Sequence, residues 1–301
     1  MRIGISLASA NPAPDVRQTV RDLVERTRSA NDAGLDSLFV GDHHITASPY
    51  LQNVPLMGRL LAEWSSRPAG ALFLLPMWDP VLLAEQVGSL AAIAQGRFII
   101  QAGLGRGQRE FAAMGINIRH RPSRFEDGLA IVRGLLAGET VTASGRFPIK
   151  DARISPIPAE PVEVWIGGSV EPAVDRAARL GDAWLGGPEL TFEETKHWID
   201  YYRERRQEYG RPFDTVALRR DVYVGHDADD ALAVAGPISE RGYRGFDPSA
   251  LVWGDAESVA QKFAAYGELG VTDIIVRHLT SSQTDVLGSI ERLARVRALL
   301  A

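Results

Sequence analysis

Apolar and polar positions along this chain keep to two rhythms that take turns. RIGISLA (2–8) alternates with the period of a strand, and VRQTVRDLVERTRSANDAG (16–34) repeats its apolar residues at helical spacing and stops at Gly34. The same exchange recurs. SLFVG (37–41), AGALFLL (69–75) and RFIIQAG (97–103) read as strands. Helices are expected over 53–66, 80–96 and 123–138, the second with proline at its start and glycine at its stop.

The rhythm then breaks. ETVTASGRFPIKDARISPIP (139–158) carries alternation, a Ser-Gly turn and several prolines, which predicts a small hairpin excursion. Strands resume at 162–168, 182–187, 215–225 and 272–278, separated by helices at 171–181, 192–210, within 227–240 and at 256–270, with a last helix over 283–300. Eight strand–helix units without a linker or low-complexity stretch predict one domain over 1–301. Such alternation means a parallel sheet clad in helices, and eight units favour a closed (β/α)8 TIM-type barrel over an open doubly wound sheet.

Composition narrows the chemistry. The formal charge of −5 argues against nucleic-acid and anionic-membrane partners, which need clustered Lys and Arg. RERRQ (203–207) falls on a helix and reads as a solvated face. The chain has no cysteine, which removes disulfides, thiolate nucleophiles and cysteine metal sites and fits a reducing cytoplasm. No run is long and apolar enough to span a bilayer, and MRIGISLAS opens as a strand, not as a signal peptide. A cytoplasmic protein acting on a small molecule is expected.

A barrel of this type builds its site from the loops after its strands. The candidate residues are therefore Ser9 to Pro14, Asp42-His43-His44, Pro76 to Asp79, Gly103 to Arg109, Gly167-Gly168-Ser169, Gly186-Gly187 and Arg277-His278. Neighbouring strand residues point to opposite faces, so His43 and His44 cannot easily serve one metal or one substrate together. A metal site assembled from Asp42 and His278 lacks any H-x-H or H-E-x-x-H spacing. Hydrogen bonding to loop backbone suits either histidine, but acid/base work by at least one of them is the stronger reading. AGLGRG (102–107) fails the dinucleotide fingerprint, since Gln108 stands where the third glycine belongs; Arg106 and Arg109 suit an anionic ligand or simply a tight turn. Gly167-Gly168-Ser169 lies between a buried strand and a helix start, where backbone N–H groups and a hydroxyl suit a phosphate; a plain N-cap by Ser169 is the alternative.

Several of these stretches together resemble the luciferase-like flavin-dependent oxidoreductases, the superfamily of bacterial luciferase and its deazaflavin-using relatives. They are FVGDHH (39–44), LLPMWDPVLLAEQVGSLAAIAQGRFIIQAGLGRG (74–107), RFEDGLAIVRGLLAGETVTASGRF (124–147), VEVWIGGSVEPAVDRAARLGDAWL (162–185) and AAYGELGVTDIIV (264–276). The resemblance covers nearly the whole chain in order. It implies a barrel with an excursion, often a homodimer, that holds reduced FMN or the deazaflavin coenzyme F-420 in its mouth. The reaction expected first is monooxygenation of a small organic substrate with reduced FMN and oxygen, the flavin supplied by a separate reductase; hydride transfer with the deazaflavin is the alternative.

Carried over residue by residue, the resemblance makes His43 the catalytic acid/base. Gly168 and Ser169 match the cofactor-phosphate turn, and a cofactor-side bulge with a non-prolyl cis peptide falls at Ala71-Leu72; Asp42, Gly103, Gly105, Arg106 and Gly167, from the loops after the strands, join them as cofactor-binding candidates. Tyr50, Trp78, Arg277 and His278 are substrate-contact candidates, with core packing an equal account of the two aromatics. There are departures. The phosphate-contacting arginine of luciferase falls on Leu104, and the catalytic glutamate of the deazaflavin sugar-phosphate dehydrogenases on Arg106, which argues against that activity. The rival classes are a metal-dependent hydrolase on the same barrel and a non-catalytic flavin-binding paralogue. RGYRGFDPSALVW (241–253), rich in glycine and aromatics, is expected to form a lid; equal protease susceptibility with and without cofactor would count against it.

Overall fold

The computed structural model describes residues 1–10, 15–65 and 67–301. Asn11 to Pro14 of the first candidate loop, and Ser66 at the end of an expected helix, lie outside the described residues. Eight parallel strands close into a barrel. In chain order they are β1 (Arg2–Leu7), β2 (Ser37–Val40), β3 (Ala69–Leu74), β4 (Phe98–Gly103), β7 (Glu163–Gly167), β8 (Ala183–Gly186), β9 (Val216–Val224) and β11 (Asp273–His278). Each pairs with the next, and β11 bonds both β9 and β1, so these eight strands close on themselves. The helices outside are α1 (Val16–Asp32), α2 (Asn53–Leu60), α3 (Pro80–Ile93), α4 (Gln108–Ala113), α5 (Arg121–Leu136), α6 (Glu171–Leu180), α7 (Phe192–Glu208), α8 (Ala228–Glu240), α9 (Ala256–Glu268) and α10 (Gln283–Leu299).

The expected excursion is an antiparallel pair, β5 (Val141–Ala143) with β6 (Ile149–Ala152). Phe147 and Ile154 anchor it on Ala84 of α3 and on Ile131 and Leu135 of α5. A strand that the pattern did not announce, β10 (Val252–Gly254), runs parallel to the top of β9. The long β9 thus gives its first residues, 216–218, to β8 and its last, 222–224, to β10. The final residues of the expected lid segment therefore belong to the sheet, because Val252 and Trp253 register against Val222 and Tyr223.

Parallel register fixes which side chains share a face. Phe39, Ile99, Trp165, Ala183, Ala217 and Ile275 form one interior layer, with the Phe39 and Trp165 ring centroids 5.6 Å apart across the lumen. Gly70 belongs to that layer because nothing larger fits. A Cβ there would stand 2.1 Å from the Ile99 carbonyl oxygen and 2.9 Å from the Phe39 ring. The larger apolar cluster lies between strands and helices, where Ile3, Val40, Ala71, Ile100 and Val276 meet the helices' buried faces.

Two expectations fail for local reasons. The Ala71–Leu72 peptide is trans, and the only cis bond among the described residues is Ser155–Pro156. Ala71 registers with Val40 and Ile100, and Leu72 with Gln101, in a ladder without a bulge. The Leu72 carbonyl accepts from Asn53 Nδ2 at 2.7 Å, and nothing opposes the ordinary trans form. The RERRQ stretch is not wholly solvated either. Arg206 is buried, donating to the carbonyls of Ala178, Gly181 and Pro212 and so tying α7 to the end of α6.

Candidate active site at the barrel mouth

Above the interior layer the same faces continue to the C-terminal ends of the strands. They bring Leu72, Gln101, Arg219, Asp221 and Arg277 towards the axis. A cavity of about 310 Å³ opens there, bordered by Ser6 to Ala10, Gly41 to His43, Tyr50, Leu72, Arg219, Arg244 and Arg277. Its size is that of a small-molecule site.

Asp42, His43 and His44 divide their work. The Asp42 carboxylate has no exposed surface. Its Oδ2 accepts from the Leu74 backbone N–H and from Trp78 Nε1, both at 2.9 Å, and its Oδ1 stands 3.3 Å from His44 Nε2. Asp42 therefore staples the loop after β3 to the loop after β2, and its charge is spent on protein donors. The carboxylate also raises the pKa of His44, because the protonated ring is the form it attracts. Trp78, expected as a substrate contact, is held away from the mouth by its bond to Asp42 and by edge contact with Phe73 at 5.3 Å.

His43 turns the other way, to the rim of the cavity. One side of its ring is open to solvent. The other meets Tyr50 edge-on at 5.4 Å. Loss of water lowers the His43 pKa, against the pull of the Glu110 and Asp42 carboxylates, and the Arg244 and Arg277 guanidiniums act in the same lowering direction. The lowering favours the neutral ring, the form able to take a proton. Tyr50 is held by a bridge to Ala10, and burial pushes its hydroxyl up to about 12, so it stays protonated. Its hydroxyl also explains Gly41: a Cβ there would lie 2.7 Å away.

The β9 strand supplies what the sequence reading overlooked. Arg219 and Asp221 face the lumen, while Arg220 between them faces outward. Arg220 donates to the Gly187 carbonyl at 3.0 Å and to Thr195 Oγ1 at 2.7 Å, and lies over the Tyr266 ring. Asp221 is fully buried and accepts from Arg244 Nη1 at 3.1 Å. Arg244 arrives from the 241–251 loop with a left-handed backbone (φ 55°), so part of the expected lid forms the cavity wall. Gln101 on β4 was also missed, although its polar side chain interrupts an apolar strand. Among the described residues, Gln101 Nε2, Arg219 Nε and Arg277 Nε are buried without a hydrogen-bond partner.

Other candidates sit elsewhere. His278 faces away from Arg277, into an adjoining cavity of about 370 Å³ between β1, α1 and residues 277–281. Its Nε2 is buried and unpartnered, and burial helped by Arg26 pushes its pKa down to about 3. Adjacent strand residues cannot share a face, so only Arg277 of that pair reaches the mouth. Gly103 and Gly105 lie at the end of β4 and just beyond it, and Arg106 is exposed and outside the cavity lining. Gly167 and Gly168 end β7 beside α6, but Ser169 does not cap that helix; Val170 holds the cap position without a side-chain bond. The Ser169 hydroxyl donates instead to Glu189 Oε1 at 2.6 Å. A carboxylate therefore stands at the turn where a phosphate was expected. Among the described residues no three His, Asp or Glu side chains are placed to hold a metal, and no helix is long and apolar enough to cross a membrane.

This barrel agrees with comparison to known proteins. The model of the luciferase-like monooxygenase family matches residues 1–250, and the chain belongs to that family. An F420-dependent glucose-6-phosphate dehydrogenase of Beutenbergia cavernae is 28% identical over 248 residues, covering 78% of this chain and 71% of the relative. Among solved structures, a monooxygenase from Streptomyces bottropensis superimposes with a TM-score of 0.83 at 20% identity, covering 98% of both chains. An F420-dependent secondary alcohol dehydrogenase, solved with an F420–acetone adduct, superimposes with a TM-score of 0.81 at 19% identity over the whole of both. At those identities the two structures establish the fold. Family members are flavin- or F420-dependent oxidoreductases, and an enzyme of that broad class is what the chain is.

Proposed function

We propose that this protein is a deazaflavin-dependent oxidoreductase that moves a hydride between coenzyme F-420 and a small alcohol or carbonyl compound. The observation that carries the reading is His43: an imidazole at the rim of the cavity, edge-on to Tyr50, with burial favouring its neutral form. Oxidation of an alcohol requires a base for the hydroxyl proton as the hydride leaves carbon, and a neutral histidine is suited to that work near neutral pH. The F420-dependent relatives support the choice of cofactor; that of Beutenbergia cavernae is 28% identical.

The residues present fit a flavin-type ring. Gln101 Nε2, buried and unpartnered, suits a ring carbonyl, and Leu72 and Gly103 offer an apolar wall beside it. The phosphate end fits at Gly168 and Ser169 once the exposed Glu189 side chain swings off the Ser169 hydroxyl. When bound, the cofactor supplies the hydride acceptor or donor; the protein binds, orients and handles the proton.

Titration of the purified protein with coenzyme F-420, FMN and reduced FMN, followed by fluorescence, tests the proposal. Tight F-420 binding with little response to either FMN form is the expected outcome. Preference for reduced FMN would replace it with a two-component monooxygenase served by a separate reductase.

A further inference from the structure

The barrel mouth has a charge asymmetry that a flavin-type ring alone does not explain. Arg219 and Arg277 stand on neighbouring strands, β9 and β11, and both guanidiniums present a buried Nε to the lumen with no hydrogen-bond partner among the described residues. Buried polar groups are nearly always bonded, and an orphaned guanidinium N–H is costly unless a ligand completes it. The nearest carboxylate is Asp221, which registers against Arg277; its Oδ1, itself buried without a hydrogen bond, makes only a long ion pair with Arg219 Nε at 3.9 Å. Its other oxygen is already committed to Arg244. Three arginines thus face one aspartate, with Asp42 turned away to its own donors.

The arginines lie on the wall opposite the expected cofactor side. In the ring of eight strands β9 stands across from β3, and β11 across from β4. Leu72 and Gln101 are on β3 and β4, and His43 extends β2 between the two walls.

We propose that Arg219 and Arg277 form an oxyanion-binding subsite, and that the substrate carries a carboxylate or phosphate group which they grip while its reacting carbon faces the cofactor near His43. This deepens the function proposed above and rests on its placing of the cofactor ring. Guanidinium is the side chain suited to the task, since its planar fork matches carboxylate and phosphate and sheds water readily. Burial lowers the Arg219 pKa, with Arg277 and Arg244 acting in the same direction and Asp221 opposing them, so a second anion would be favoured beside this crowded cluster.

The experiment observes the arginine Nε–H signals of the ¹⁵N-labelled protein by NMR, without cofactor, during titration with acetate and with inorganic phosphate. Two signals, assigned by their loss in Arg219→Met and Arg277→Met, are expected to shift saturably, while that of exposed Arg59 is not. Each variant is expected to weaken binding by about tenfold or more, the worth of one charge-assisted bond. Should one variant not fold, Arg277→Lys serves, keeping the charge and losing the fork. Saturation by only one of the two anions names the substrate's charged group. No saturable shift at tens of millimolar, or undiminished binding in the variants, overturns the proposal. So does displacement of the anion by coenzyme F-420 alone, which would give both arginines to the cofactor. Saturable anion binding by a protein that ignores coenzyme F-420 upholds the subsite and removes the cofactor reading.

Discussion

Replacing Asp42 by alanine tests how the mouth is held together. The buried carboxylate ends two hydrogen bonds at 2.9 Å, from the Leu74 N–H and the Trp78 indole. Alanine leaves both donors dry and unpaired at about 1–3 kcal/mol each, so the loss should be about 2–6 kcal/mol. Asparagine keeps an oxygen for both donors and gives up only the charge facing His44, so Asp42→Asn should recover more than half of that loss. The comparison also has a pH signature. Asp42 raises the folded-state pKa of His44, so the pair's contribution is full below the unfolded value of about 6.5. It is lost as pH rises through the folded value. The stability gap between wild type and Asp42→Asn should therefore be wider near pH 5.5 than near pH 8.5. Guanidinium unfolding of the three proteins at both pH values, followed by tryptophan fluorescence, measures all of this. An Asp42→Ala protein within about 1 kcal/mol of wild type, or a gap to Asp42→Asn that ignores pH, would refute the account of Asp42 as a staple.

Three further outcomes are expected. His43→Asn should lower turnover by about 10²–10⁴-fold with cofactor affinity nearly unchanged, measured by stopped-flow reduction of the bound cofactor. In the wild type, because the His43 pKa is lowered, the oxidation rate should hold as pH falls past about 6.5 before declining. Gly70→Ala should cost about 3 kcal/mol or more, or abolish soluble expression, since its Cβ would stand 2.1 Å from the Ile99 carbonyl oxygen. His278 is pushed down to about 3 when folded, so it favours the native state above pH ~6.5 and that contribution drains away as pH falls towards the folded value. His278→Leu should flatten the acid limb of a stability–pH curve by up to about 1.4 kcal/mol per pH unit.

The barrel was legible in the sequence because its signal is repeated: eight apolar runs, each followed by a helical period, favour closure over an open doubly wound sheet. The place of His43 at the barrel mouth was legible from the position of DHH after a strand. What escaped has a common cause. In TVALRRDVYVG the pair Arg219-Arg220 reads simply as charge, and only the register against β8 and β11 shows that Arg219 faces the lumen while Arg220 packs beneath α7 and α9. Gln101 was hidden in an apolar strand for the same reason. Glu189 lies 20 residues from Ser169, so no local spacing announces that they share a hydrogen bond. The expected cis peptide at Ala71–Leu72 came with the family resemblance, and this chain's unbroken β3 ladder does not provide the bulge it accompanies.

The short strand β10 has a consequence for solubility. Once β8 ends, the upper part of β9 on that side would be bare backbone, and unsatisfied strand backbone is a template on which another molecule can add itself. Val252 to Gly254 fill that gap, and the Gly225 amide continues the pairing to the Gly254 carbonyl at 2.8 Å. The free edge is thereby passed to a strand of only three residues, and so short an edge is a poor template, so the barrel can flare at its mouth without becoming adhesive there. A chain deprived of those three residues would have to choose between a narrower opening and a tendency to form fibres.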